Sequence, residues 1–338
     1  MVLEHLFPDD WLERKHRYAF LLAFLYSLVA IVVARLLFGA NSGIVSVVFT
    51  SLLLIPYIKK LFEKGRDSEM QEPEFNLKRF WANNKQAVRI YAVLFLGIYT
   101  AFTLYTFLLS YFGYPVVTIF REQLASEALR GGATFSSGIF LHILLNNWWV
   151  LLACFLLALI GGDGALFFVT WNASYWGSVF GFRAIEAAIN GGAYGAVTNL
   201  AIILIVTFPH VLLEGGAYIL AAISGGVISE NVISKEGAVS KFVYWFLVSI
   251  VLFLIVRYVY GLVFTFIPLV ARLFDVAIIL LLLHFLGFVF DDGDHREVFH
   301  YNYYLFLLAI FVFVIGAIVE TYVVGNSLLL GQVYLAAG

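Results

Sequence analysis

Long uninterrupted apolar runs constrain this chain more than any other feature. A helix that spans a bilayer needs about 20 mostly apolar residues, and only helices or closed barrels can pair all their backbone groups in lipid. Barrels show short alternating segments instead. The runs therefore predict an all-α polytopic membrane bundle with about 8–9 membrane segments. We place these segments at residues 18–38, 44–58, 90–112, 139–160, 165–182, 193–227, 242–263, 273–290 and 301–324.

The composition excludes several other classes of protein. Hydrophobic residues make up 62% of the 338 positions and charged residues 12%, against about 45–50% and 25% in soluble domains. A soluble enzyme and a disordered chain are thereby excluded. The net charge of -2 gives no basic field for nucleic acid, so the expected partner is the lipid bilayer. A single cysteine, Cys154, excludes an intrachain disulfide and a cysteine zinc site.

The basic residues predict the domain organisation and the orientation. Eight of the 20 Lys and Arg residues fall within residues 59–89, and basic loops stay in the cytosol. Residues 1–58 are expected to form an N-terminal interfacial helix and a two-helix membrane hairpin, with residues 59–89 as a charged cytosolic connector. Residues 90–338 then form a membrane domain with an outer interfacial helix at residues 116–137. This organisation predicts a multi-pass protein of the cell membrane with a cytosolic N-terminus.

One segment is too long for a single straight crossing. Residues 193–227 contain Pro209, and proline removes a backbone donor and clashes with the preceding helical turn. A kinked single helix, a re-entrant pair and two short helices all fit this pattern. We expect a broken or re-entrant helix at Pro209, since such breaks occur where backbone is buried in protein or lines a cavity.

Small residues follow this break at intervals of four positions, at Ala217, Ala221, Gly225 and Ser229. Such a stripe lets helix backbones approach closely. It fits close packing inside the chain and a homodimer interface alike.

Polar side chains inside the apolar runs are the candidate functional residues. A charged group at mid-bilayer costs at least ~2.5–3.5 kcal/mol unless it meets a partner or a cavity. Helical spacing places His142 with Asn146, and His210 with Glu214, on shared helix faces. We expect distant acidic and imidazole groups to converge at the helix break. The predicted intramembrane polar site consists of His142, Asn146, Asn147, Asn172, His210, Glu214 and Glu320.

Four short segments resemble the stage II sporulation protein M family. They are the Asn146-Asn147 pair, residues 171–177, residues 209–226 and residues 317–320. The resemblance covers roughly residues 90–324. Val211 and Ala173 stand where the family usually has glycine, so the chain is similar to a divergent member. The resemblance implies a membrane scaffold that works with other membrane or cell-envelope proteins, as the sporulation members do with cell-wall hydrolases.

Three functions remain open at this point. The chain contains no complete H-E-x-x-H, G-x-S-x-G or P-loop motif, which favours a scaffold or a membrane subunit of a larger complex. In that case His210 caps a broken helix, and Glu214 pairs with Arg257 or with a backbone donor.

The second hypothesis is an intramembrane metal-dependent hydrolase. His210, Glu214, Glu320 and His142 would hold zinc or another divalent ion that activates water. The third is a proton-coupled transporter or channel in which Glu214 or Glu320 takes up the proton. The sequence assigns no catalytic residue.

Overall fold

The apolar runs form long helices in the computed structural model. The structure describes residues 16–69, 77–124, 137–162, 164–190, 194–233, 238–263, 268–290 and 293–325. Its helices are α1 (His16–Phe38), α2 (Ser42–Glu69), α3 (Leu77–Tyr111), α4 (Val116–Ile119), α5 (Arg121–Leu124), α6 (Ser137–Gly161), α7 (Leu166–Ile189), α8 (Ala196–Ile228), α9 (Ala238–Val263), α10 (Pro268–Leu286) and α11 (Gly293–Gly325). No strand occurs in these ranges, which confirms an all-α polytopic membrane bundle. Seven of the described helices are long and apolar enough to cross a bilayer, so the predicted count of eight or nine is not confirmed.

Helix α8 lies at the centre of the bundle. It packs against α11, α6 and α7, and α7 in turn packs against α3, which contacts α1. Helices α8 and α11 are antiparallel, because the Ser224 hydroxyl donates to the Asn302 carbonyl at 2.5 Å while Gly316 lies against Glu214. The central position of α8 means that its polar residues face other helices of the same chain.

Glycines set the close approaches between these helices. A Cβ atom added at Gly177 of α7 would lie 2.6 Å from the Tyr99 carbonyl oxygen of α3. One added at Gly225 of α8 would overlap the Phe155 carbonyl oxygen of α6. Because lipid provides no hydrophobic driving force between helices, such van der Waals contacts hold a membrane bundle together. The small-residue stripe of α8 is therefore used inside the chain, and the homodimer stays a prediction.

The predicted helix break at Pro209 is wrong. Helix α8 continues through Pro209 without interruption, although proline cannot donate to the carbonyl of Ile205 one turn earlier. Pro209 lies on the exposed face of the helix. Membrane helices tolerate proline when the rest of the helix is held by packing, and the segment after Pro209 is buried from His210 to Ile228 at most positions.

Helices cover the described parts of residues 59–89, the stretch predicted as a charged cytosolic connector. Helix α2 continues to Glu69, and α3 begins at Leu77. Lys, Arg, Glu and Gln have high helix propensity, so the apolar helices extend into the charged residues. At 28 and 35 residues, α2 and α3 are about 40–50 Å long at 1.5 Å per residue, which exceeds the hydrocarbon core of a bilayer.

The predicted outer interfacial helix is also wrong over its described part. Residues 116–124 form two one-turn helices, α4 and α5, with a break at Phe120. Gln123 is fully buried, and the Ser42 hydroxyl donates to the Ile119 carbonyl at 3.1 Å. Residues 116–124 therefore pack onto the start of α2. The rest of that prediction and the N-terminal interfacial helix lie outside the described residues.

Candidate functional site

Two carboxyl groups that are 106 positions apart in sequence meet inside the bundle. Glu214 lies near the middle of α8 and is 0% exposed. Glu320 approaches from α11, near enough for the two side chains to hydrogen-bond when one of them carries a proton. Glu214 Oε1 and Glu320 Oε2 are buried, and no described donor reaches either oxygen. We call these two residues the carboxyl pair.

Gly316 makes room for the carboxyl pair. It lies one helical turn before Glu320 on α11, and a Cβ atom there would be 2.8 Å from Glu214 Cγ. The same atom would be 3.3 Å from the Glu214 backbone nitrogen and 3.3 Å from Leu213 Cβ. Only a residue without a side chain lets α11 approach α8 this closely, so Gly316 brings the two carboxyl groups into one site.

A chain of amide hydrogen bonds connects the carboxyl pair to helix α6. The Asn147 side-chain amide donates to Glu214 Oε2 at 3.3 Å. The Asn146 amide donates in turn to Asn147 Oδ1 at 3.2 Å. Asn146 is exposed and lines a polar cavity of about 390 Å³ between α6, α9 and α10. Two hydrogen bonds thus connect Glu214 with a cavity that polar side chains line.

Aromatic side chains enclose the carboxyl pair on the α7 side. Trp176 stacks on Tyr218 with 6.3 Å between ring centroids and meets the edge of His210 at the same distance. Phe95 of α3 packs against Trp176 and against Gly215, next to Glu214. The Tyr218 hydroxyl is buried, without a described hydrogen-bond partner, and lies within electrostatic range of both carboxyl groups. Aromatic rings thus form the α7 side of the site.

Among the described contacts, the remaining predicted site residues make no hydrogen bond to the carboxyl pair. His142 is exposed and lines the polar cavity. The Asn172 amide donates to the Phe168 carbonyl of its own helix at 2.8 Å. His210 is buried one turn before Glu214, but its Nδ1 has no described partner. Within the described part of the chain, no group of three or more His, Cys, Asp or Glu side chains could hold a metal ion.

Arg257 does not satisfy Glu214. Its Nε lies 3.7 Å from Asp275 Oδ1 across the contact between α9 and α10, and the Tyr260 hydroxyl donates to the same oxygen. Asp275 is 5% exposed. The arginine therefore belongs to the polar cavity, and Glu214 depends on Asn147 and Glu320.

Sequence reasoning missed Gly316, Trp176 and Tyr218. Gly316 carries a usable signal, because a glycine one turn before an intramembrane glutamate marks a face where another helix can approach. Trp176 and Tyr218 carry no such signal in a chain with 7 Trp and 19 Tyr residues, since their roles depend on which helices become neighbours.

No protein-family model, curated protein or solved structure matches this chain. The resemblance to the stage II sporulation protein M family therefore stays a prediction.

Proposed function

We propose that this multi-pass membrane protein is a proton-coupled transporter and that the carboxyl pair is its proton-binding site. The observation that supports the proposal is the meeting of Glu214 and Glu320 inside the bundle. Carboxyl groups in membrane segments are rare, and where they occur they often belong to proton relays.

The electrostatics of the pair support proton binding. Two carboxylates side by side in a site of low dielectric repel each other, so both cannot be ionised together. The described surroundings provide only the Asn147 amide as a donor, and this neutral group cannot balance two negative charges. A proton held between Glu214 and Glu320 relieves the repulsion and gives one of the unpartnered oxygens a hydrogen bond.

A route for the proton is suggested by the amides of Asn146 and Asn147. They connect Glu214 with the polar cavity, where water can reach the Asn146 side chain. Amides both donate and accept hydrogen bonds. Asn146 can therefore hold a water molecule of the cavity, while Asn147 holds the Glu214 carboxyl group. The rings of Trp176 and Tyr218 lie on the α7 side of the carboxyl pair. We therefore expect proton exchange on the α6 side.

The alternative is the scaffold predicted from the sequence. In that case the carboxyl pair serves only to hold α8 and α11 together. The metal-dependent hydrolase receives no support, because the geometry does not assemble its four predicted ligands.

Charge movement after a pH jump distinguishes the two functions. The protein is reconstituted into liposomes on a solid-supported membrane, and the transient current after a rapid pH change is recorded. A proton-binding site inside the bundle gives a current that exceeds that of empty liposomes. Glu214→Gln and Glu320→Gln each keep the side-chain shape and are expected to abolish it.

Glu297→Gln is the matched control, because Glu297 is an exposed glutamate at the opposite end of α11 and its loss should leave the current unchanged. The transporter proposal is wrong if folded wild-type protein gives no more current than empty liposomes. It is equally wrong if both pair variants keep the full current. Lower unfolding stability of the pair variants without any wild-type current indicates the scaffold.

A further inference from the structure

A second feature of the bundle lies between α6, α9 and α10, apart from the carboxyl pair. The polar cavity of about 390 Å³ is lined by His142, Asn146, Arg257, Arg272 and Asp275, with Trp149 as an apolar wall. An apolar cavity of about 210 Å³ is lined by Trp149, Leu152, Phe246, Ile250, Phe253 and Leu282, among others. Trp149 borders both cavities, so the two lie next to each other along α6.

Among the residues that the structure describes, the charges of the polar cavity leave Arg272 without a counterion. Arg257 pairs with Asp275, which also accepts the Tyr260 hydroxyl. Among the described residues no carboxylate pairs with Arg272, which lies on the same cavity wall. A guanidinium that borders lipid is costly unless an anion or water satisfies it, and arginine binds carboxylate and phosphate groups with two parallel hydrogen bonds.

The depth of the two cavities matches an amphiphile in a bilayer. Arg257 lies about 9 Å before the end of α9, and Arg272 about 6 Å after the start of α10, at 1.5 Å per residue. The polar cavity is thus near one membrane surface. The apolar cavity continues from Phe253 to Phe246 toward the middle of α9, so that a ligand's polar end would be shallow and its chain deep.

Helix α9 gives such a ligand a lateral entrance. Leu247, Val251 and Leu254 are each more than half exposed, and α9 contacts mainly α10. A chain in the bilayer therefore meets α9 at the edge of the apolar cavity, where Ile250 lines the cavity and is itself exposed.

We propose that the polar and apolar cavities together bind a single-chain anionic amphiphile of the fatty-acid type. The carboxylate or phosphate head lies between Arg272 and Arg257, with the His142 and Asn146 side chains as further donors, and the hydrocarbon chain lies along Trp149 and Leu282. The combined volume falls in the range of about 300–1,000 Å³ that is usual for ligand sites. Binding does not require the carboxyl pair to exchange protons, so this proposal stands apart from the proposed function.

Equilibrium binding to the full-length protein in phosphatidylcholine nanodiscs tests the proposal. Radiolabelled myristate is the main probe, and myristyl phosphate, myristyl alcohol and acetate compete with it. We expect saturable myristate binding, competition by myristyl phosphate, and at least about tenfold weaker competition by the neutral alcohol. Acetate, which has the head without the chain, should compete only at far higher concentration.

Two pairs of variants locate the site. Arg272→Gln should weaken myristate binding about tenfold or more, whereas Arg296→Gln changes an exposed arginine at the other end of the bundle and should have no effect. Leu282→Trp fills the apolar cavity and should also weaken binding, while Leu281→Trp on the exposed face of α10 should not.

The proposal is overturned if myristate and myristyl alcohol compete equally, or if Arg272→Gln and Arg296→Gln bind alike. Equal competition by acetate would indicate a site for small soluble anions and would also overturn it. None of these results changes the pH-jump current, so failure of this proposal is distinguishable from failure of the proposed function.

Discussion

The contact between Gly316 and Glu214 gives the sharpest prediction of the structure. In Gly316→Ala the new methyl group would lie 2.8 Å from Glu214 Cγ and 3.3 Å from the backbone nitrogen. Overpacking of this kind costs about 1–3 kcal/mol. Alanine in place of glycine gains ~1 kcal/mol of helix propensity, so the net loss of unfolding free energy is about 0–2 kcal/mol.

A matched glycine on the partner helix isolates the packing contribution. A Cβ atom at Gly216 of α8 would meet nothing within 4 Å, so Gly216→Ala should be neutral or stabilising by up to ~1 kcal/mol. Unfolding in a titration with sodium dodecyl sulfate, followed by circular dichroism, measures both variants under the same conditions.

A double-mutant cycle assigns the cost to Glu214 itself. Glu214→Ala removes Cγ, which is the atom closest to the new methyl group, so Gly316→Ala should cost at least ~1 kcal/mol less in that background. The reasoning fails if Gly316→Ala is as stable as Gly216→Ala, or if its cost is identical in the two backgrounds.

Three further predictions concern other parts of the bundle. Cys154 is buried, so a maleimide should label it only after denaturation, and labelling of the folded protein would contradict the packing of α6. Gly225→Val places a branched side chain against the α6 backbone and should cost more than ~2 kcal/mol of unfolding free energy, whereas a neutral effect in the same detergent titration would refute that contact. Tyr260→Phe removes one donor from Asp275 and should lower stability by about 1–2 kcal/mol. This difference should vanish in an Asp275→Ala background, which has no acceptor for the hydroxyl, and its persistence there would contradict the assignment to this hydrogen bond.

The fold class follows from the sequence because a lipid solvent leaves few alternatives. The predicted segments correspond to long helices, and the one at residues 139–160 differs from α6 by only a residue or two at each end. The sequence misleads where the conformation of a segment depends on its packing against other helices. Pro209 is a strong local signal for a break, but α8 is held on three sides by other helices and continues through it.

The candidate site was predictable in part for a similar reason. Glu214 and Glu320 stand out because intramembrane carboxyl groups need partners, and the structure brings them together. Their neighbours depend on helix order, which the sequence does not specify. Asn147 and Asn172 have the same chemistry, yet only Asn147 reaches Glu214, because α6 packs against α8 in the required register.

The proton held by the carboxyl pair is the central claim, and infrared spectroscopy measures it directly. The protein in nanodiscs at neutral pH should show the carbonyl stretch of a protonated carboxylic acid in a site shielded from water. Glu297→Gln should keep this band, and the Glu214→Gln/Glu320→Gln double variant should lose it. A wild-type spectrum with only ionised carboxylates, or a double variant with the band intact, would contradict the account.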